Sequence, residues 1–353
     1  MQLLEEILEK TDGKICMHCL GRMLSKTVEG VDNVSRAQSL GIELNDGECI
    51  ICGNVFDKIN DELFDKIYDK LDFLKVEFDS FVVGSRIDKE MKKRDEEFIR
   101  ELNLDVEPIK KEINRIIGKR LEQEMQKEVN FEKQDIIVNV NLIKEPKVRV
   151  QINPIFIEGK YNKLIRGIPQ TKWPCRKCRG RGCEECNFTG KQYPCSVEEL
   201  LSEHILKATD GYEAKFHGAG REDIDVLMLG SGRPFVLEIK EPKIRKIDLA
   251  TLEKEINEIN QGKTQYHNLK FTHRNRKAEI KVSSPDTYKV YRALVKCEED
   301  IKEDDLEKLQ SLHMIQQRTP IRVSHRRADK IREKEVKNIE AKFIDSKTFE
   351  MII

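Results

Sequence analysis

The sequence has no apolar run approaching the roughly 18–20 residues needed to cross a bilayer, which argues against a membrane-spanning helix. It also has no net charge: Lys+Arg and Asp+Glu each number 64. Overall charge therefore points to no partner, but local basic stripes can still serve nucleic-acid binding. The opening residues, MQLLEEILEK, carry acids where a secretory signal would carry its apolar stretch, so a soluble cytoplasmic protein is expected. Hydrophobic residues make up only 38 % against 36 % charged, a Lys/Glu-rich balance common in proteins of thermophiles. A chain of 353 residues has room for two or three domains with cores of their own.

The ten cysteines are informative by spacing. Eight form four C-x-x-C pairs: Cys16/Cys19, Cys49/Cys52, Cys175/Cys178 and Cys183/Cys186. In a cytosolic chain such pairs point to metal ligation and not to disulfides. Each pair can form a knuckle whose backbone amides point at the sulfurs, and two knuckles make a tetrahedral thiolate shell for structural Zn²⁺. Four buried thiols or a redox pair is the alternative for the first set. In the second set only four residues, Arg-Gly-Arg-Gly, separate the pairs, and their glycines allow the tight return. One zinc there would hold a joint with too little apolar material to fold by itself. Basic residues around it suit RNA contact, and a purely structural clip is the simpler reading.

The remaining pattern indicates an α+β protein. Residues 1–57 form an N-terminal zinc region. In residues 58–170, helical periodicity in DELFDKIYDKLDFL and VEPIKKEINRIIGKRLEQEM precedes strand-like DIIVNVNLI and KVRVQINPIFIEG. The basic segment GKYNKLIRGIPQTKW follows, where Lys160, Tyr161, Lys163, Arg166 and Lys172 suit a phosphate backbone and Trp173 suits stacking. A solvated loop is the equal alternative. Residues 171–195 are the cysteine-rich joint. In residues 196–353, Ser196 and Glu199 make a capping box for VEELLSEHILKAT. Strands in YEAKFHG and PFVLEIK, a helix in IDLATLEKEINEIN, strands in YHNLKFTHR, KAEIKVSS and KVYRALVKC, and a helix in DDLEKLQSLH follow. The order predicts helices packed on an antiparallel sheet. The closing DSKTFEMII reads as a hairpin whose second strand has barely begun, so the domain is expected to continue further.

The segment FHGAGREDIDVLMLGSGRPFVLEIKEP gathers Arg221, Glu222, Asp223 and Asp225 in one loop. Two chemistries fit. Asp225, Glu238 and Lys240 follow the D…E-x-K order of metal-dependent nucleases. Alternatively, Gly220 turns the chain so that Asp223 faces a cleft as a nucleophile or base without metal. Ordinary turn hydrogen bonds are the bland alternative.

GAGREDIDVLMLGSGRPFVLEI resembles the catalytic loop of the archaeal and eukaryotic tRNA pseudouridine-54/55 synthase family. INPIFIEGKYNKLIRGIPQTKWPCRKCRGRGCEECNFTGKQYP, KVYRALV and QRTPIRVSHRRADKIREKEV are similar to its archaeal branch, so the likeness spans nearly the whole chain. It implies a zinc-bearing N-terminal region, a THUMP-type RNA-binding domain and a pseudouridine synthase domain. It places the reacting carboxylate on Asp223, with Arg221 beside it and Tyr291 stacking on a flipped uridine. Arg322, Arg326 and Arg327 then suit tRNA phosphates, and a solvated face is the plain alternative. The resemblance implies tRNA, through its T-loop, as partner, and neither a catalytic cofactor, a membrane nor a protein partner. Leu227 stands where the family usually has arginine, and the family continues beyond Ile353 with a catalytic strand. A tRNA-binding protein of reduced activity is therefore the second expectation, and the nuclease a remote third.

Overall fold

Short capped helices open the chain in the computed structural model, which describes residues 2–282, 288–319 and 328–353. Helix α1 (Gln2–Thr11) turns Ile7 inward, and α2 (Met17–Met23) begins at Cys16, whose sulfur accepts from the Cys19 amide. Helix α3 (Asn33–Gln38) is capped by Asp32 and crosses α2 at Gly21. A Cβ at Gly21 would lie 1.7 Å from the Asn33 carbonyl oxygen, so only glycine fits.

The next module follows from its periodicities. Helix α4 (Asp61–Leu74), strand β1 (Ser80–Arg86), helices α5 (Lys89–Glu101) and α6 (Ile109–Met125), and strands β2 (Glu128–Val129), β3 (Ile136–Asn141) and β4 (Lys147–Ile152) build one α+β layer. The sheet order is β2-β1-β3-β4, with β1 parallel to β2 and β3, and β3 antiparallel to β4. Helix α6 buries Ile109, Ile113, Ile117 and Leu121, one face at helical spacing, against the sheet at β1, in one core with the alternating Ile136, Val138 and Val140 of β3. Cys19, Ile51, Cys52 and Val55 belong to the same core, so the N-terminal cysteine region and this module pack together. Arg22, fully buried, locks the junction: it donates to Asp95 at 2.5 Å and to the Glu107 carbonyl at 2.9 Å, and pairs with Glu112 at 3.3 Å.

The second sheet corrects the expected boundary at residue 170. KVRVQINPIFIEG is two strands in different sheets, separated at Asn153-Pro154. Strand β5 (Ile155–Lys163) is central in the order β6-β7-β5-β8, flanked by β7 (Met228–Lys240) and β8 (Thr264–Thr272), with β6 (Glu213–Gly218) at the edge. All three pairings are antiparallel. Helices α7 (Val197–Thr209), capped by Ser196, and α8 (Leu249–Ile259) cover one face through Val197, Leu201, Ile205 and Ile256. KAEIKV, expected as a strand, is helix α9 (Arg276–Val282) on the other face. Ile280 packs there with Phe156 and Val236, while Arg276 and Lys277 reach Glu158 and Glu238. These anchors at i, i+1 and i+4 suit a helical turn and not a two-residue alternation.

The chain divides into two units, Met1–Val282 and Ser283–Ile353. In the second, β9 (Arg292–Lys296) is followed by α10 (Glu303–Gln310), the hairpin of β10 (Met314–Arg318) and β11 (Ile331–Glu335), β12 (Glu340–Asp345) and β13 (Thr348–Ile352). Strand β13 is not barely begun: it is fully paired on both sides, between β12 and β9. Among the described residues no helix is long and apolar enough to cross a membrane.

Candidate active site and metal centres

Both cysteine sets come together. Within each, Cys16/Cys19/Cys49/Cys52 and Cys175/Cys178/Cys183/Cys186, the sulfurs all lie within 4.8 Å of one another. Tetrahedral zinc with Zn–S bonds of about 2.3 Å requires sulfurs about 3.8 Å apart. Cys16 and Cys52 are 3.5 Å apart, Cys175 and Cys183 3.9 Å, Cys178 and Cys186 3.9 Å, and Cys183 and Cys186 3.7 Å. The amides of Gly182 and Gly190 donate to Cys178 and Cys186 at 3.2 Å, as knuckles require. Burial raises the Cys186 pKa, but donation from the Cys183 and Gly190 amides outweighs it and holds the thiol at about 6. Both donor sets fit a metal ion.

The Asp223 loop joins β6 to β7 and is gripped along its backbone by the end of β5 and the residues after it. Lys163 Nζ donates to the carbonyls of Asp223 (2.8 Å), Ile224 (3.1 Å) and Ile168 (3.1 Å). The Gly167 amide donates to Ile224 at 2.9 Å, and Arg166 to the Asp225 carbonyl at 2.6 Å. Gln170 donates to the Gly220 carbonyl at 3.0 Å, and Arg233 to that of Ala219 at 2.9 Å. Gly220 takes φ +82°, the left-handed turn expected of it.

Glu222 is the inward anchor. Its carboxylate accepts from the Tyr161 hydroxyl at 2.6 Å, pairs with Arg233 at 3.0 Å and lies 4.0 Å from Lys163 Nζ. Gln170 in turn donates to the Tyr161 hydroxyl at 2.8 Å. Burial pushes the Tyr161 pKa up, with the Glu222 charge adding to it, so the phenol remains a donor. Burial lowers the Lys163 pKa, against the pull of Glu222 and Asp225. With Glu222 turned in, its neighbour Arg221 is exposed and Asp223 is half-buried at the loop surface. The Arg221 guanidinium lies over the Trp173 ring, 5.0 Å from its centroid.

This geometry corrects two expected phosphate contacts. Tyr161 and Lys163 are 0 % exposed and belong to the interior. Lys160 lies half-buried on the opposite face of β5, and Arg166 is exposed. Trp173, half-buried, packs edge-to-face on Tyr193 at 5.6 Å as well as against Arg221. Tyr291, exposed, exchanges two backbone hydrogen bonds with Ile353 beside β9 in the second unit. Arg322, Arg326 and Arg327 lie outside the described residues. The nuclease trio is engaged elsewhere: Glu238 binds His217 (2.9 Å) and Lys277 (3.0 Å), and Lys240 binds Glu213 (2.6 Å). Among the described residues, the cysteine sets alone bring three or more metal-binding groups together.

Sequence reasoning missed Glu222, Gln170 and Arg233 as loop supports. The signal for Tyr161 and Lys163 was present: Ile155, Ile157, Gly159, Tyr161 and Lys163 keep the inward phase of β5. A lysine in that phase breaks the apolar alternation that marks an inward strand face.

An α+β chain with two tetrathiolate sites and a carboxylate on a rigidly supported loop is the class these features define. Comparison with known proteins is specific. The family model described as "Pus10, C-terminal" matches residues 156–353, and that described as "Pus10 THUMP domain, archaeal" matches residues 63–141. The tRNA pseudouridine synthase Pus10 of Methanothermobacter marburgensis is 52 % identical over 330 residues, 93 % of this chain and 82 % of that protein. Its counterpart in Methanosphaera stadtmanae is 41 % identical over 354 residues, 96 % and 85 % respectively. That of Methanocaldococcus jannaschii is 46 % identical over 329 residues, 92 % and 69 %. The chain belongs to the Pus10 family.

Proposed function

We propose that this chain is a tRNA pseudouridine synthase, an isomerase that converts T-loop uridine 54, 55 or both, with Asp223 as the reacting carboxylate. The observation that carries this reading is the support of Asp223: three consecutive carbonyls, 223 to 225, are held by Lys163, Gly167 and Arg166. Such support keeps a reacting group within the small tolerance that chemistry demands. The names of the relatives point the same way. Asp223 starts cleavage of the N1–C1′ bond of a flipped uridine; the freed uracil turns, C5 bonds to C1′, the C5 proton leaves to solvent and N1 takes up a proton in its place. Flipping is cheapest for a loop base. Tyr291 stacks on that base, and Arg221 contacts the RNA or Asp223. Lys160 and Arg166, with Arg322, Arg326 and Arg327, neutralise phosphates. The metal at both cysteine sites is zinc, in a structural role, and the residues 63–141 module engages tRNA as a THUMP domain.

The test is tritium release from a tRNA transcript labelled at uridine C5. The wild type is expected to release tritium, and Asp223→Ala and Asp223→Asn to release none while melting and binding tRNA as the wild type does. Turnover retained in Asp223→Ala removes Asp223 from the reaction.

A further inference from the structure

The two flanks of the cysteine joint run antiparallel: Pro174 bridges Lys191, the Cys175 amide donates to the Gly190 carbonyl at 2.8 Å, and the Gln192 amide to that of Trp173 at 2.9 Å. One end of this neck carries the four sulfurs. The other carries Trp173 and Tyr193, set edge-to-face with an interplanar angle of 80°. Arg221 of the loop rests over the Trp173 ring. A guanidinium over an indole face is attracted by the ring quadrupole, and indole is the strongest such platform. The neck is short and poor in apolar side chains, so an ion held by the four sulfurs would stiffen it.

We propose that the second cysteine cluster is a positioning device for Arg221: a bound ion closes the neck, the neck fixes Trp173, and Trp173 sets the guanidinium two residues from Asp223. The proposal rests on the reading of this loop as the reacting site. Trp173 is a positioning residue, acting through Arg221. It also predicts that the metal content of a site remote from the chemistry is felt at the loop.

Trp173 is the single tryptophan of the chain, so selectively excited tryptophan emission reports on the surroundings of this one ring. In the full metal-loaded chain, Arg221→Gln is expected to increase acrylamide quenching of the Trp173 emission by uncovering one ring face. Cys183→Ser, which opens the neck, is expected to do the same as bound metal is lost. In tritium release, Trp173→Leu is expected to lower kcat roughly two- to fivefold, the worth of an exposed cation–π pair, with KM for tRNA unchanged. Trp173→Phe retains part of that loss-sensitive rate, and in an Arg221→Gln background Trp173→Leu has no further effect. Quenching indifferent to Arg221→Gln, or to Cys183→Ser once metal has gone, overturns the proposal; so does an equal loss from Trp173→Leu in both backgrounds. If the wild type releases no tritium, the functional reading fails, and the quenching results still decide the coupling by themselves.

Discussion

Replacing Lys163 with methionine sets two physical roles against each other. In the structure its ammonium is wholly buried and donates to three carbonyls, two of them in the Asp223 loop. Methionine fills the aliphatic volume but returns no donor. Asp223 and Ile224 keep weaker or single partners, Val226 N at 3.3 Å and Gly167 N at 2.9 Å. At a net loss of about 1 kcal/mol for each abandoned bond, the variant loses about 3 kcal/mol. For the unit Met1–Val282 that is a fall in melting temperature of roughly 5 °C. The loosened loop lowers kcat in tritium release. Affinity for tRNA, and its dependence on salt, stay as in the wild type. A phosphate contact at Lys163 predicts the reverse: unchanged melting, weaker binding, and a salt slope reduced by about 0.9. Thermal melts and tRNA titrations over a salt series separate the two, and the second pattern refutes the strut.

Three further outcomes are expected. Arg22→Met strands Asp95 and Glu112, each 1 % exposed at the side chain, and costs about 3–5 kcal/mol in thermal or urea unfolding. Glu198 has its pKa raised by burial. The folded state therefore binds the extra proton between the ordinary and raised values, and the penalty is complete only above the raised one. Glu198→Gln is thus expected to raise the melting temperature at pH 7, a gain that vanishes as the pH falls below the ordinary carboxyl range. Cys19→Ser removes a ligand embedded in the N-terminal core and is expected to unfold that core with metal loss. Cys183→Ser, whose site lies outside both large cores, leaves the melting of the sheets near wild type; metal analysis beside the melts checks both.

The sequence by itself determined the features that short-range physics writes. The C-x-x-C spacing fixes knuckles whose sulfurs meet. Helices α4 and α6 follow from apolar spacing. Ser196 caps α7 as expected, its hydroxyl accepting from the Glu199 amide at 3.2 Å, although the Glu199 carboxylate accepts from the Ser196 hydroxyl at 2.8 Å and not from its amide as a full capping box would. The long segments around Asp223 placed the family correctly. Tertiary structure alone decided which neighbours share a sheet and which charges go inside. Nothing local distinguishes Lys147–Ile152 from Ile155–Lys163 as strands, yet the first pairs back on its neighbour β3 while the second pairs only with β7 and β8, far ahead in sequence, and so enters a different sheet. Nothing local says that Glu222 turns in while Asp223 stays at the surface. A buried carboxylate is tolerable only where Tyr161, Arg233 and Lys163 converge, and two strands and a turn must assemble before they do. The sequence could single out the Asp223 loop because its cluster of charged residues is local; only the fold could supply the distant partners that make burying Glu222 tolerable.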